Sequence, residues 1–152
     1  MPNIGGPKQR RRALLSSVVT SVLTYGISIW ADVLQLQEAR HKIAPVYRLS
    51  ALRVASAYRT VSEGAVCVIS RIIPIEVLAE ERRSLYERKR SEALNSEELK
   101  IQERRNSLSR WQQKWSDSTK GRWTYRLISQ VAAWMVFVTP MHILFQRYRS
   151  KE

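Results

Sequence analysis

The chain has 152 residues, of which 44% are apolar, and a net charge of +13. This composition suits one ordinary domain with a buried core and excludes a disordered or fibrous protein. The single cysteine excludes a disulfide framework, and with two histidines it cannot complete an intrachain zinc site unless carboxylates or water contribute.

The first predicted helix runs from about Lys8 to Ala31, after a turn-like segment rich in glycine and proline. Residues 13–31 carry no charge, which raises the hypothesis of a membrane span. Serine and threonine side chains, however, share one side of this helix, and the large apolar side chains share the other. This division favours a helix packed on one side of a soluble bundle. The apolar side comprises Leu14, Leu15, Val18, Val19, Val22, Leu23, Tyr25, Ile29 and Trp30.

A second helix is predicted from about Glu38 to Tyr58, with Pro45 either kinking or restarting it. Its apolar residues fall on one face and its basic residues on another, so we expect an amphipathic basic helix. The apolar face comprises Ile43, Val46, Tyr47 and Val54, and the basic side comprises Arg40, His41, Arg48 and Arg59.

Capping signals predict the next helices. Thr60 and Glu63 have capping-box spacing, which predicts a short helix through residues 65–69. Pro74 suits the first turn of the helix that follows. Asn95 and Glu98 form a second capping box, so we expect this helix to break and restart there.

The charged middle of the chain is predicted to be a solvated helical surface. Glutamates stand three residues before arginines at Glu80 and Glu87, a spacing that supports exposed ion pairs with Arg83 and Arg90. One apolar stripe is predicted further on, because large apolar residues repeat every seven positions. The stripe comprises Leu94, Ile101, Leu108 and Trp115.

The remaining segment predicts a turn at STKGRW and then an uncharged stretch over residues 127–146, with Pro140 near its middle. This stretch is compatible with a buried segment, a membrane anchor or a tail exposed for lack of its partner. Strand patterns and internal repeats are absent from the sequence, so we predict an all-α fold.

The sequence contains few of the residue patterns that catalysis requires. A metal-dependent polymerase or nuclease needs clustered carboxylates, but the only aspartates are Asp32 and Asp117, which lie far apart in the sequence, and the glutamates lie among arginines. Phosphate-binding loops and hydrolase nucleophile motifs are also absent. Cys67 stands in an apolar run and is read as a small buried hydrophobe. We therefore expect no enzyme activity from this chain alone, no cofactor and no bound metal.

The sequence favours binding to a polyanion, because residues 1–59 carry nine basic and only two acidic side chains. Such groups neutralise phosphates without reading sequence, so RNA or DNA backbone is the expected partner, and a membrane surface is less favoured. The alternative is that these are ordinary solubilising charges. For Trp30, Trp111 and Trp115, core packing is favoured over base stacking. The candidate nucleic-acid-binding residues are Lys8, Arg10, Arg11, Arg12, Arg40, Lys42, Arg48, Arg53 and Arg59.

Three runs of sequence carry a family resemblance. NIGGPKQRRRALLSSVVTSVLTYGISIWAD is followed by LSALRVASAYRTVSEGAVCVISRIIPIEVLAEER and then by WQQKWSDSTKGRWTYRLI. In this order they resemble the region after the polymerase palm in non-LTR (LINE-type) retrotransposon reverse transcriptases of arthropods. The resemblance implies a thumb-like basic helical bundle over residues 1–75, long charged connector helices over 76–117, and a turn with a divergent apolar tail over 118–152.

The departures from that family are equally clear. Its two-aspartate palm motif and its CCHC zinc knuckle are absent, and residues 132–152 do not follow its pattern. We therefore expect a fragment of an RNA-directed DNA polymerase that grips a template-primer duplex without catalysis, inside the cell in nucleus or cytoplasm and not secreted. The alternatives are a small membrane-associated protein anchored by residues 127–146, or a helical interaction module in which Trp111 and Trp115 dock onto a partner that supplies the palm.

Overall fold

The computed structural model describes residues 6–30, 32–33, 37–91 and 95–136, and the predicted all-α fold is confirmed. Leu94 and residues 137–146, with Pro140, lie outside this part of the chain. Among the described residues, no helix combines the length and the apolarity that a bilayer crossing requires. The helices are α1 (Gln9–Thr24), α2 (Ile27–Trp30), α3 (Gln37–Ala55), α4 (Glu63–Ser70), α5 (Ile75–Ser91), α6 (Ser96–Asp117), α7 (Arg122–Leu127) and α8 (Val131–Val136).

Two predicted helices end earlier than expected because a residue adopts the left-handed conformation. Gly26, at φ 65°, separates α1 from α2 and so breaks the predicted helix over residues 8–31. Ser56, at φ 51°, ends α3 three residues before Tyr58. The amide of Ala57 then donates to the carbonyl of Leu52 at 3.0 Å, as in a Schellman motif. Pro45 lies within α3, which continues through it.

The predicted capping signals have a mixed outcome. Asn95 is the N-cap of α6, and its side chain accepts a hydrogen bond from the amide of Glu97 at 3.3 Å. The short helix α4 is present, but its N-cap is Ser62 and not Thr60. The amide of Val66 donates to the carbonyl of Ser62 at 3.0 Å, so the first helical bond starts two residues later than the predicted box.

The helix α1 packs on α3 through its hydroxyl side. Ser16 is buried and shares a hydrogen bond of 2.6 Å with Ser50, and Arg12 donates to Ser56, so the two helices run antiparallel. Large residues of the apolar side are instead exposed, with Leu14 and Leu15 each 62% accessible. Small hydroxyl side chains satisfy each other's hydrogen bonds where the two backbones approach.

The helices α5 and α6 form an antiparallel pair joined by ion pairs, which corrects the prediction of a solvated charged face. Glu81 and Glu103 are each only 3% exposed. They pair across the interface with arginines, because a buried carboxylate needs a cationic partner. Two glutamates nearer the start of α5 pair across it with an arginine and a lysine. The pairs are Arg88–Glu103 at 2.7 Å, Glu81–Arg104 at 3.1 Å, Glu80–Arg110 at 3.3 Å and Glu76–Lys114.

The predicted pairs within α5 are wrong. Glu80 pairs with Arg110, and Glu87 pairs with Arg83. The predicted seven-residue stripe of α6 is wrong at Ile101, whereas Leu108 and Trp115 do pack in the core. The buried stripe of α6 repeats every four residues, whereas Ile101 of the predicted stripe is 53% exposed. The observed stripe comprises Leu99, Glu103, Ser107, Trp111 and Trp115.

The main core lies where α4, α5, α6 and α8 meet. Trp111 and Trp115 are 1% and 2% exposed, which confirms core packing for both. Trp30 packs at the edge of a second cluster that joins α2, α3 and α5. The predicted division of the chain at residue 75 stays a prediction.

The segment after α6 folds back onto it. The indole of Trp115 donates to the carbonyl of Ile128 at 2.8 Å. The side-chain amide of Gln112 donates to the backbone carbonyl of Ser129 and accepts from the backbone N–H of Val131. The indole of Trp134 donates to the carbonyl of Val68 at 3.0 Å, so α8 is tied to α4. These bonds tie residues 128–134 to the main core, whereas Trp123 and Leu127 of α7 are exposed.

Candidate nucleic-acid interface

A hollow at the carboxyl-terminal end of α3 collects several of the predicted cations. It has a volume of about 530 Å³ and is lined by Arg53, Ser56, Tyr58, Arg59 and Thr60, among others. We call it the α3 hollow. Its two guanidinium groups, three hydroxyl groups and an exposed aromatic ring are groups that bind phosphate oxygens and stack on sugars or bases.

Arg12 connects the start of α1 to this hollow. Its guanidinium donates to the hydroxyl of Ser56, and it lines a neighbouring groove together with Arg53. Lys8, Arg10 and Arg11 are exposed on the preceding turn. The antiparallel packing of α1 on α3 therefore places six predicted cations at one end of the helix pair, and these six are Lys8, Arg10, Arg11, Arg12, Arg53 and Arg59.

Arg48 holds the loop that forms part of the α3 hollow. Its guanidinium donates to the backbone carbonyls of Arg59 and Val61, the latter at 2.6 Å. These bonds hold the loop between α3 and α4 and thereby position Arg59. Arg48 is a positioning residue in this arrangement, because its Nη2 atom is bound to these two backbone carbonyls.

Arg40 lies elsewhere, in a charged group beside the start of α5. It pairs with Glu76 at 2.8 Å, and Glu76 also pairs with Lys114. The pKa of the nearby Glu63 carboxyl is raised, chiefly by burial and then by repulsion from Glu76, while Arg48, Arg40 and Lys114 oppose the shift. Arg40 and Lys114 thus share the carboxylate of Glu76, and Lys42 is exposed on α3.

The electrostatic balance of the first three helices favours an anionic ligand. Residues 6–30 contain no carboxylate, and residues 39–62 contain none either. Among α1 to α3 the one carboxylate is Glu38, at the other end of α3, so the cations of the α3 hollow have no carboxylate close to them in their own helices. Such an uncompensated group attracts phosphates through a field that salt screens.

A second basic cleft was missed by the sequence analysis. It has a volume of about 460 Å³ and lies between α5, α6 and the turn at Gly26. Its cations are Arg82, Lys89, Lys100 and Arg104. The signal was present in the sequence, because Arg82 and Lys89 are seven residues apart and Lys100 and Arg104 are four apart, spacings that share a helix face.

Reactive groups are sparse in the described residues. Cys67 is fully buried, as predicted, and burial raises the pKa of its thiol to about 12. A thiol of this kind is a poor nucleophile, because the thiolate is the reactive form. Within the described part of the chain, histidine, cysteine and carboxylate side chains form no group of three that could hold a metal ion.

Comparison with known proteins finds one kind of relative. The chain is 26% identical over 142 residues to a Drosophila melanogaster protein described as a putative 115 kDa protein in the type-1 retrotransposable element R1DM. The alignment covers 84% of this chain but only 14% of that relative. No family model matches the chain, and no solved structure matches it. The similarity supports a retrotransposon-related origin for this protein.

Proposed function

We propose that this chain is the thumb and connector of a retrotransposon reverse transcriptase, and that it binds the backbone of a template-primer duplex without sequence specificity. The observation that carries the proposal is the α3 hollow, where cations from α1 and α3 meet without compensating carboxylates. The similarity to a retrotransposon protein adds support. Catalysis by the chain alone is not part of the proposal, and the palm of a polymerase is the partner that would supply the carboxylates.

The expected affinity follows from the number of cations. If each of the six neutralises one phosphate, the slope of log K against log salt is about −5 for a duplex. Raising the salt from about 50 to about 200 mM then weakens binding about a thousandfold. If the charges served only solubility, the salt dependence of duplex binding would not depend on one particular group of side chains.

The experiment measures the anisotropy of a labelled RNA–DNA hybrid at several salt concentrations. The test variant is Arg53→Ala/Arg59→Ala, and the matched control is Arg105→Ala/Arg126→Ala, which removes the same charge from exposed positions on α6 and α7. We expect the test variant to reduce the slope by about two and the control to leave it nearly unchanged. Binding that is absent at low salt, indifferent to salt, or equally affected by both variants would refute the proposed interface.

The absence of catalysis is tested separately by primer extension with magnesium or manganese. We expect no synthesis from the purified chain and synthesis only when a palm carrying its carboxylates is added. Nucleotide incorporation by the chain alone would overturn this part of the proposal.

A further inference from the structure

One face of α1 is apolar and is left uncovered by the described part of the chain. Leu14 and Leu15 are each 62% exposed, Val18 is 60% exposed and Val22 is 70% exposed. At 100° per residue these four side chains fall within an arc of about 100°, so they form one continuous stripe along the helix. We call this stripe the α1 face. Single exposed leucines are common on protein surfaces, but a contiguous stripe of this kind marks an interaction site.

A groove beside the α1 face continues it onto α3. Leu15 and Val19 line the groove from α1, and Val46 and Leu49 line it from α3. Its volume is about 220 Å³, which is below the range of about 300–1,000 Å³ that small-molecule pockets occupy. A groove of this size between two helices takes side chains that project from a third helix.

The charges around the groove decide what kind of partner fits. Arg12 and Arg53 line the groove itself, and neither α1 nor residues 39–62 contain a carboxylate. A second copy of the chain would bring the same cations against these. Residues 137–152 carry three cations and one carboxylate, so they are also positively charged. A partner with negative charge is the one that complements this surface.

We propose that the α1 face and its groove bind an acidic amphipathic helix of another protein. Leucine-like side chains one turn apart would enter the groove, and carboxylates beside them would pair with Arg12 and Arg53. A helix is favoured over an anionic membrane because the groove is recessed between α1 and α3, and a flat bilayer surface has no ridge to fill it. The proposal does not depend on the nucleic-acid function.

The probe is a labelled synthetic peptide of about 18 residues, in which leucines at helical spacing form one face and glutamates form the other. A scrambled peptide of the same composition and a peptide with lysine in place of glutamate are the comparisons. We expect the acidic amphipathic peptide to bind the full chain at least about tenfold more tightly than either, because only it combines the apolar face with the charge.

The test variant is Leu15→Ala/Val46→Ala, whose two residues line the groove but not the α3 hollow. The control is Ile101→Ala, since Ile101 is also about half exposed but lies on α6. We expect the test variant to weaken peptide binding at least about tenfold, the control to leave it unchanged, and both to retain duplex binding and the wild-type circular dichroism. Equal binding of the acidic and scrambled peptides would overturn the proposal. The proposal would also be overturned if the test variant kept peptide binding but lost binding to phosphatidylserine vesicles, since the face would then bind a membrane. It would likewise be overturned if the variant kept peptide binding but lost self-association in sedimentation.

Discussion

Gly121 provides a direct test of how the turn after α6 approaches α4. The residue has φ 75°, in the left-handed region. A Cβ atom at this position would lie 2.8 Å from the Ser62 hydroxyl oxygen, 3.1 Å from the Ala65 Cβ and 3.3 Å from the Trp115 ring. Alanine therefore faces both a backbone cost and a steric cost, and we expect Gly121→Ala to lower the free energy of unfolding.

The size of the effect follows from these two costs. The left-handed conformation costs alanine about 1–2 kcal/mol, and overpacking costs about 1–3 kcal/mol more. Gly26→Ala is the matched control, because Gly26 has φ 65° but its Cβ would meet only the Trp30 ring at 3.8 Å. We therefore expect a loss of about 2–5 kcal/mol for Gly121→Ala and of about 1–2 kcal/mol for Gly26→Ala.

The measurement is urea unfolding followed by tryptophan fluorescence for the wild type and both variants. Trp115, which the turn contacts, reports on the affected part of the core. If the free energies of unfolding of the two variants fall by the same amount within about 0.5 kcal/mol, the close contact of Gly121 with Ser62 and Ala65 is contradicted. A stabilising effect of Gly121→Ala would refute the left-handed assignment as well.

Three further predictions concern single side chains, two of them buried and one partly exposed. Tyr47→Phe removes the phenol that donates to the carbonyl of Ile73 at 2.6 Å, and should lower the free energy of urea unfolding by about 1–3 kcal/mol; a neutral effect would contradict this bond. Cys67, with its thiol pKa raised to about 12, should react with a thiol reagent near pH 8 about a thousandfold more slowly in the native than in the unfolded chain, and fast native labelling would contradict its burial. Burial and then Glu76 raise the folded pKa of Glu63, so its contribution to stability is present below its ordinary pKa of 4.5 and is lost as the pH rises through the folded value. Glu63→Gln should therefore stabilise the protein more near pH 7 than near pH 4, whereas parallel pH profiles of unfolding would be inconsistent with this shift.

Helix positions were predictable where the signals are local. Asn95 before α6 and Pro74 before α5 act through neighbouring backbone groups, so their roles are readable from a few residues. The ends at Gly26 and Ser56 were missed, because a left-handed residue interrupts a helix without changing its apolar pattern. Ser56 in particular is held by a contact with Arg12, which is 44 residues away.

The candidate interface was predictable in composition but not in arrangement. The excess of cations in residues 1–59 is visible in the sequence, whereas the pairing of Arg40 with Glu76 of α5 depends on the tertiary fold. The role of Arg48 in holding the loop at Arg59 depends likewise on a folded backbone.

By itself, the sequence determined the helical class and the excess of positive charge, because helix signals and charge belong to individual residues and their near neighbours. Only the tertiary structure decided which side of α1 packs, since the hydrogen bond between Ser16 and Ser50 joins residues 34 apart and leaves Leu14 and Leu15 uncovered. It also decided that Glu81 and Glu103 are buried, because a carboxylate leaves water only where a cation from the facing helix replaces the lost hydration.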